Sequence, residues 1–260
     1  MNPGSLTIAG IGPGDRRLLS EQARQAIEQA HTIIGYRPYF RWIEDLAKGK
    51  QCLRLPMKHE VRRAELAVQH AYVGEHVCVI SSGDAGMYAM AGLVLEKLEE
   101  APAPRPEAQV TPGISSLNAA AALLGAPVAH DFAVISLSEL LTPWTTIERR
   151  LRAAAEADFA TVLFNPKSRK RDWQLGRAAE LFLEHRSQQT PVGIVRQAYR
   201  PNQHIQRINL DQLPVAEVDM LSIVFIGNSQ TRHLQVGMVT PRGYENKAAS
   251  AQGAGELEET

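Results

Sequence analysis

Three short glycine-containing turns carry the residues whose types and spacing could do chemistry. The first, IAGIGPGD, places Gly10, Gly12 and Gly14 close together. Glycine has no Cβ atom, so the backbone there can approach a ligand or adopt a positive φ. A dinucleotide fingerprint would need glycine at Asp15 and no Pro13 inside it, and no Gly-Lys-Ser/Thr follows as in a phosphate-binding loop. Two interpretations remain: a close approach to another kind of ligand, or a tight turn that binds nothing.

The second turn, SSGDAGMYAM, adds the acidic residue Asp84 between Gly83 and Gly86. A carboxylate at this place accepts hydrogen bonds from hydroxyl or ammonium groups of a ligand, or else it caps the helix that follows. The third turn, TPGISS, offers Ser115 or Ser116 as the cap of an alanine-rich helix. Ligands of open parallel sheets bind at the carboxyl ends of the strands. The turns therefore predict one crevice.

The elements that must hold these turns alternate along the chain. Short β-branched runs bounded by turn residues alternate with amphipathic stretches, which is typical of an α/β protein with parallel pairing. The predicted strands are 6–11, 32–35, 77–81, 109–110, 132–136, 160–164, 192–195 and 221–226. The predicted helices are 18–30, 61–72, 90–99, 145–157 and 171–184, with another after residue 115 that ends near 125.

The order of these elements predicts two α/β domains, 1–117 and 118–245, with the boundary after the third turn. The last stretch, 246–260, is rich in Ala, Gly, Glu and Ser and has no apolar period. A segment of that composition buries too little apolar surface to fold, so we expect a disordered tail.

Composition excludes several classes of protein. Lys plus Arg and Asp plus Glu both number 28, so no global field draws the chain to nucleic acid or an anionic membrane. Cys52 and Cys78 lack the paired spacing of a zinc site or a disulfide framework, which indicates structural thiols in a reducing compartment. The histidines show no metal-binding spacing, so we expect no metal site. There is no long apolar run and no basic leader. We expect a soluble, cytoplasmic protein.

The three turns together resemble those of the tetrapyrrole methylases, a family of S-adenosylmethionine-dependent methyltransferases that act on corrin precursors and on sirohaem. Longer segments resemble the branch of that family that methylates precorrin-3B at carbon 17 with ring contraction, or its counterpart acting on cobalt-factor III. These segments are GYRPYF, SSGDAGMYAMA, HDFAVISLSELLTPW, FNPKSRKR and GIVRQAYR. The resemblance extends from about Leu6 to Gly243, and the SLSELLTPW run favours the C17 branch.

The resemblance implies the tetrapyrrole methylase fold, two α/β domains with a trough between them for the methyl donor and the tetrapyrrole. It also implies a homodimer with S-adenosylmethionine as the methyl donor. The first turn would then line the trough without holding a phosphate, so Pro13 is tolerated there. Carried over position by position, the donor-contacting residues are Pro13, Gly83, Asp84, Met87, Ser115, Ser116, Phe164, Asn165 and Val195.

The two reactions make different demands on the protein. Methyl transfer from a sulfonium needs alignment of the donor with the accepting carbon and exclusion of water. Ring contraction also needs a proton to be moved, and the candidates are Tyr88, Ser136 and Asp131. Tyr36 and Ser138 are two further candidates from the same segments. For each of them a capping or packing role is the alternative.

Basic residues offer a further link to such a substrate. Lys167, Arg169, Lys170, Arg171, Arg196 and Arg200 form a solvated helix start, or they bind the carboxylate side arms of a corrin precursor. Two other functions stay open: a methylase of RNA or protein on the same fold, and a non-catalytic nucleotide-binding module. Neutral net charge and the SLSELLTPW run argue against the first.

Overall fold

The computed structural model describes residues 4–169 and 171–244, and these residues form two compact units. One unit contains residues 4–119 together with Ala198–Pro201, and the other contains Ala120–Gln197 and residues 202–244. The limits expected from the sequence, 1–117 and 118–245, stay predictions for independently folding domains. The expected tail, 246–260, lies outside the described residues.

The first unit is an α/β layer structure built on a parallel sheet. Its strands are β1 (Ser5–Gly10), β2 (Thr32–Tyr36), β3 (Gln51–Leu55), β4 (His76–Ser81) and β5 (Glu107–Thr111). Its helices are α1 (Glu21–Gln29), α2 (Glu60–Tyr72), α3 (Ala91–Glu99) and the start of α4 (Ser116–Leu124). Short 3₁₀ turns occupy Arg16–Leu18 and Arg37–Trp42.

The strand order β3-β2-β4-β1-β5 brings three of the chemistry-bearing turns to one edge of this sheet. All pairs are parallel, and β1 lies between β4 and β5. The register pairs Gly10 with Ser81 and Ala9 with Thr111, so the carboxyl ends of the three strands are level. The turns that follow these strands therefore start side by side.

Both faces of the first sheet are covered, as a parallel sheet requires. Leu6 and Ile8 of β1 pack with α2 and α3, whereas Ala9 and the following Ile11 pack with α1. This alternation is the two-residue period of a strand. It fixes the register of β1 and, with it, the place where the first turn begins.

The second unit has a mixed five-stranded sheet in the order β10-β9-β11-β8-β7. Its strands are β7 (Phe132–Ser136), β8 (Ala160–Phe164), β9 (Pro191–Arg196), β10 (His204–Asn209) and β11 (Ser222–Ile226), with helices α5 (Trp144–Glu156) and α6 (Gln174–Leu183). A separate three-stranded sheet joins β6 (Gly125–Ala126), β12 (Arg232–Leu234) and β13 (Gly237–Val239).

The prediction of parallel pairing is wrong for most of this second sheet. Only the β7–β8 pair is parallel, and β8–β11, β11–β9 and β9–β10 are antiparallel. The chain turns back after β9 through a short loop, without the helix that a parallel crossover needs. Because β9 nonetheless runs in the direction of β7 and β8, the carboxyl ends of all three strands lie at the same edge.

Among the residues the structure describes, no helix combines the length and apolar character needed to cross a membrane.

Candidate active site

The first and second turns are joined directly through their backbones. Gly83 donates its N–H to the carbonyl of Gly12 at 2.8 Å, and Gly12 donates its N–H to the carbonyl of Gly83 at 3.1 Å. Both glycines have a φ of +72°, a backbone conformation that side chains with a Cβ rarely adopt. The glycine at each of these positions is therefore needed for the turn itself.

The third turn packs against the other two at van der Waals distance. A Cβ on Gly10 would lie 2.7 Å from both Gly113 N and Gly83 O, and a Cβ on Gly113 would clash with the Gly83 carbonyl oxygen. We call the residues of these turns, 10–15, 82–88 and 111–116, the three-turn cluster. Gly10, Gly12 and Gly113 are thus explained by backbone packing against backbone, without a phosphate between the turns.

Asp84 ties the cluster together with its side chain. Its Oδ1 accepts the N–H of Gly86 at 2.8 Å, and its Oδ2 accepts the N–H of Gly113 at 3.0 Å. The capping interpretation is wrong, because α3 begins only at Ala91 and its N-cap residue, Met90, makes no side-chain capping bond. The half-buried carboxylate is thus fixed in orientation at the meeting point of two turns, with further lone pairs open to a ligand.

Arg200 holds the first turn to the second from a segment far away in the chain. Its Nε donates to the Pro13 carbonyl at 2.6 Å, its Nη2 donates to Ser82 Oγ at 2.9 Å, and its guanidinium lies 5.4 Å from the centroid of the Trp42 ring. Burial is the main cause that lowers the pKa of this arginine. The sequence suggested Arg200 as a carboxylate ligand, but these donors are already used inside the cluster.

The serines of the third turn have separate roles. Ser115 is buried, and its Oγ accepts the N–H of Asn118 at 3.2 Å as the N-cap of α4. Ser116 is the first helical residue and is half-buried. Of the two capping candidates, the structure therefore selects Ser115.

Met87 and Tyr88 lie in the loop between β4 and α3. Tyr88 has a φ of +51° and is 57% exposed, and its ring lines a cavity of about 170 Å³ whose wall also includes Tyr36, Tyr39 and Arg63. A non-glycine residue held at positive φ is uncommon and marks a constrained position. The side chain of Tyr88 is therefore presented beside a cavity at the carboxyl ends of β2 and β4.

In the second unit, Ser136 and Asn165 meet at the carboxyl ends of β7 and β8. Ser136 Oγ accepts hydrogen bonds from Asn165 Nδ2 at 3.0 Å and from the Ser138 N–H at 3.3 Å. Phe164 is the register partner of Ser136. Arg171 donates to the carbonyls of Asn165 and Leu137, so it supports this corner from within. With both lone pairs of its oxygen used, the Ser136 hydroxyl is left to act as a hydrogen-bond donor.

Two of the candidate site residues, Asp131 and Val195, do not present an accessible side chain at the carboxyl ends of the strands of the second sheet. Asp131 precedes β7 and is exposed at its amino end, a full strand away from Ser136. Val195 is fully buried in β9, between β10 and β11. Arg196 pairs with Asp219 at 2.6 Å, which uses it within the second unit. Lys170 lies outside the described residues.

Between residues 4 and 244, leaving out Lys170, no group of three or more His, Cys, Asp or Glu side chains is placed to hold a metal ion. The expectation of no metal site stays a prediction.

Comparison with known proteins agrees with this fold. A sequence profile for the family described as Tetrapyrrole (Corrin/Porphyrin) Methylases matches residues 5–214. A crystal structure of the methyltransferase CobJ superposes with a TM-score of 0.84 at 36% identity, covering 92% of this chain and all of that one.

Three curated relatives cover nearly all of this chain. The cobalt-factor III methyltransferase of Priestia megaterium is 46% identical, over 94% of this chain and 46% of that protein. The probable cobalt-factor III C(17)-methyltransferase of Salmonella typhimurium is 43% identical, with coverage of 92% and 99%. The precorrin-3B C(17)-methyltransferase of Sinorhizobium sp is 38% identical, with coverage of 93% and 97%. The chain thus spans about half the length of the Priestia protein and nearly all of the other two.

Proposed function

Because the chain belongs to the tetrapyrrole methylase family, we propose that it transfers a methyl group from S-adenosylmethionine to carbon 17 of precorrin-3B and promotes ring contraction to precorrin-4, a step of cobalamin biosynthesis. The observation that carries the proposal is the three-turn cluster, in which Gly12, Gly83 and Gly113 meet backbone to backbone beside the fixed carboxylate of Asp84. Full-length similarity to proteins named C17-methyltransferases supports the choice of reaction.

The residues of the first unit fit a small polar donor. The cluster offers backbone at positive φ, carboxylate lone pairs on Asp84 and small side chains at Ser115 and Ser116. We assign donor contacts there to Pro13, Gly83, Asp84, Met87, Ser115 and Ser116, and in the second unit to Phe164, Asn165 and Val195. Val195 would contribute through packing beneath the site, because its side chain is fully buried.

The donor, when bound, supplies an activated methyl group on a positively charged sulfur. The task of this chain is then to hold that group in line with the accepting carbon and to exclude water, since no base is needed for the displacement itself. The hydrogen-bonded turns suit this task, because the bonds of Asp84 and Arg200 between turns restrict the motion of the three-turn cluster. Preorganisation of this kind lowers the entropic barrier to reaction.

Ring contraction needs a group that donates to or accepts from a substrate hydroxyl. We assign that role to Tyr88 or Ser136. The Ser136 hydroxyl retains its own hydrogen for donation, and Tyr88 is exposed beside a cavity. Asp131 is the weakest of the three candidates, because it lies at the amino end of its strand.

A second substrate is favoured by a specific observation. Three relatives named for cobalt-factor III are 46%, 43% and 41% identical to this chain, against 38% for a relative named for precorrin-3B. Cobalt-factor III is thus the alternative substrate, with the metal carried by the tetrapyrrole. The homodimer and the cytoplasmic location stay predictions.

The proposal is tested by incubating the purified chain with S-adenosylmethionine and either precorrin-3B or cobalt-factor III, and reading product masses. A gain of one methyl group on one tetrapyrrole, with release of S-adenosylhomocysteine, is expected. Donor binding without turnover on either would support a non-catalytic nucleotide-binding module instead, and methylation of RNA or protein alone would support the other rival.

A further inference from the structure

The cavity beside Tyr88 contains polar groups that the methyl-transfer assignment does not use. It lies within the first unit, between the carboxyl ends of β2 and β4 and the start of α2. Tyr36, Tyr39, Arg63, Ser81 and Tyr88 contribute to its wall. Its volume of about 170 Å³ suits a side chain or a few waters, at ~30 Å³ per water, and it is too small for a macrocycle.

Arg63 is the unusual residue of this cavity. It is only 4% exposed, and its Nη2 pairs with Glu60 Oε1 at 2.8 Å. Its Nε and Nη1 atoms are buried and have no hydrogen-bond partner within the part of the chain that the structure describes. Buried polar groups are nearly always hydrogen-bonded, and a buried cation with open donors is costly. A partner for these two nitrogens is therefore expected.

A second open group lines the same cavity. Ser81 is 2% exposed, and its Oγ also has no partner among the described residues. Two side chains on different elements, one on α2 and one at the end of β4, thus line the same cavity, and each has a buried hydrogen-bonding atom without a partner among the described residues. Such a pair indicates a polar ligand or water within the cavity.

The charges around the cavity favour an anion. Arg63 and Arg200 both act on Tyr39, lowering its pKa, although burial is the larger effect and leaves that pKa raised. Glu60 offsets part of this positive charge, but its side chain is 43% exposed and so partly screened by water. Met57 and Tyr88, which also line the cavity, are more than half exposed, so the cavity opens to the surface.

We propose that Arg63, with Ser81 and the neighbouring tyrosines, binds a carboxylate side arm of the tetrapyrrole substrate in this cavity. The inference rests on the proposed function for the identity of the ligand. Arg63 would supply the charge-assisted hydrogen bonds from Nε and Nη1, and the macrocycle would stay outside. The pocket thereby selects for an acidic side arm at one position of the ring.

The test is a fluorescence titration with uroporphyrin III, a stable polycarboxylated tetrapyrrole, against wild type, Arg63→Met and Arg62→Met. Arg62 is the matched control, because it lies on the same helix, is half exposed and pairs with Glu65 of that helix. We expect wild type and Arg62→Met to bind alike and Arg63→Met to bind at least about ten-fold more weakly. Affinity for S-adenosylhomocysteine should be the same in all three.

The variant Glu60→Gln keeps the inference testable if Arg63→Met does not fold. Glu60→Gln keeps Arg63 and removes the opposing charge, so it should bind uroporphyrin III more tightly than wild type does. The inference would be overturned if wild type did not bind the porphyrin. It would also be overturned if Arg63→Met and Glu60→Gln both bound the porphyrin as wild type does, and Arg63 would then be a hydrated structural residue. Loss of S-adenosylhomocysteine affinity in Arg63→Met with unchanged porphyrin binding would also overturn it. None of these titrations requires methyl transfer, so failure of the proposed reaction is seen separately.

Discussion

The Asp84 carboxylate accepts the backbone N–H of Gly113 at 3.0 Å and thereby joins the turn after β4 to the turn after β5. The same side chain closes its own turn through the N–H of Gly86. One residue therefore sets the geometry of two of the three turns that the proposed donor would contact. Loss of either bond should loosen the cluster without disturbing the core beneath it.

Asp84→Asn should reduce both stability and donor affinity, because the N–H groups of Gly86 and Gly113 are accepted by different oxygens, and the NH₂ group that replaces one of them donates and cannot accept. We expect a loss of about 1–2 kcal/mol in the free energy of unfolding, measured by urea denaturation, and weaker binding of S-adenosylhomocysteine by calorimetry. Asp45→Asn is the control, because that carboxylate is 70% exposed and forms a surface ion pair with Arg16. Equal values for Asp84→Asn and wild type would remove Asp84 from the site.

Gly83→Val should abolish binding of S-adenosylhomocysteine. Valine at a φ of +72° is strained, and the reciprocal bonds with Gly12 would not survive the shift of the turn. The matched variant Gly92→Ala changes a glycine in α3 whose added Cβ meets nothing within 4 Å, so its affinity should be unchanged. An unaltered heat of binding in Gly83→Val would show that this turn does not touch the donor.

Arg200→Met should free the first turn, because the Pro13 carbonyl and Ser82 Oγ both lose their donor. Hydrogen exchange of the amides in residues 11–15 should become faster, while exchange in β4 stays slow. Arg24→Met, which removes two partly exposed ion pairs on α1, with Glu21 and with Glu28, should leave the turn unchanged. Identical exchange rates in Arg200→Met and wild type would contradict this supporting role.

The acid–base candidates should separate contraction from methyl transfer. Tyr88→Phe or Ser136→Ala should retain donor binding yet slow contraction about a hundred-fold, so that substrate or an uncontracted methylated ring accumulates. Asp131→Asn should behave as wild type because of its place at the amino end of β7. Contracted product formed at the wild-type rate by both Tyr88→Phe and Ser136→Ala would exclude these hydroxyls.

Burial raises the pKa of the Cys78 thiol to about 12. Thiolate is the reactive form, so Cys78 should resist a thiol reagent at pH 8 until the protein unfolds. Its raised folded-state pKa stabilises the protein fully below about pH 9 and is lost between about pH 9 and 12, where the unfolded thiol ionises first. Replacing it by Ala should flatten the fall of stability over that window. Rapid labelling of Cys78 in the native protein would show that its burial is wrong.

The parts of the fold that local pattern controls could be predicted from the sequence. The α/β class and the strands β1, β2, β4, β7 and β8 are confirmed within a few residues, because apolar runs between turn residues are local signals. In the two five-stranded sheets the strands β3 and β10 were missed, although β10, HIQRIN, alternates in polarity. The strands β9 and β11 were predicted, but their antiparallel pairing was not. The direction in which two strands pair depends on the path of the chain between them, and the residue pattern within a strand does not indicate that path.

The site was predictable where motifs are contiguous and unpredictable where residues meet at long range. The three turns could be located, but the bond from Arg200 to Pro13 spans 187 residues and leaves no local signal. Arg63 was also missed, although one signal was present: it shares a helix face with Ala67 and Ala71, at the spacing of four that marks a buried stripe. An arginine on such a stripe indicates a buried cation.

The central claim is most directly tested by NMR of the product made with donor carrying a ¹³C-labelled methyl group. Absorption spectra are recorded as well, because they distinguish a contracted macrocycle from an uncontracted isomer of the same mass. The account predicts a single labelled methyl attached to carbon 17 of a contracted macrocycle, formed from precorrin-3B or cobalt-factor III. A label at another ring carbon, or at carbon 17 of a macrocycle that has not contracted, would contradict it.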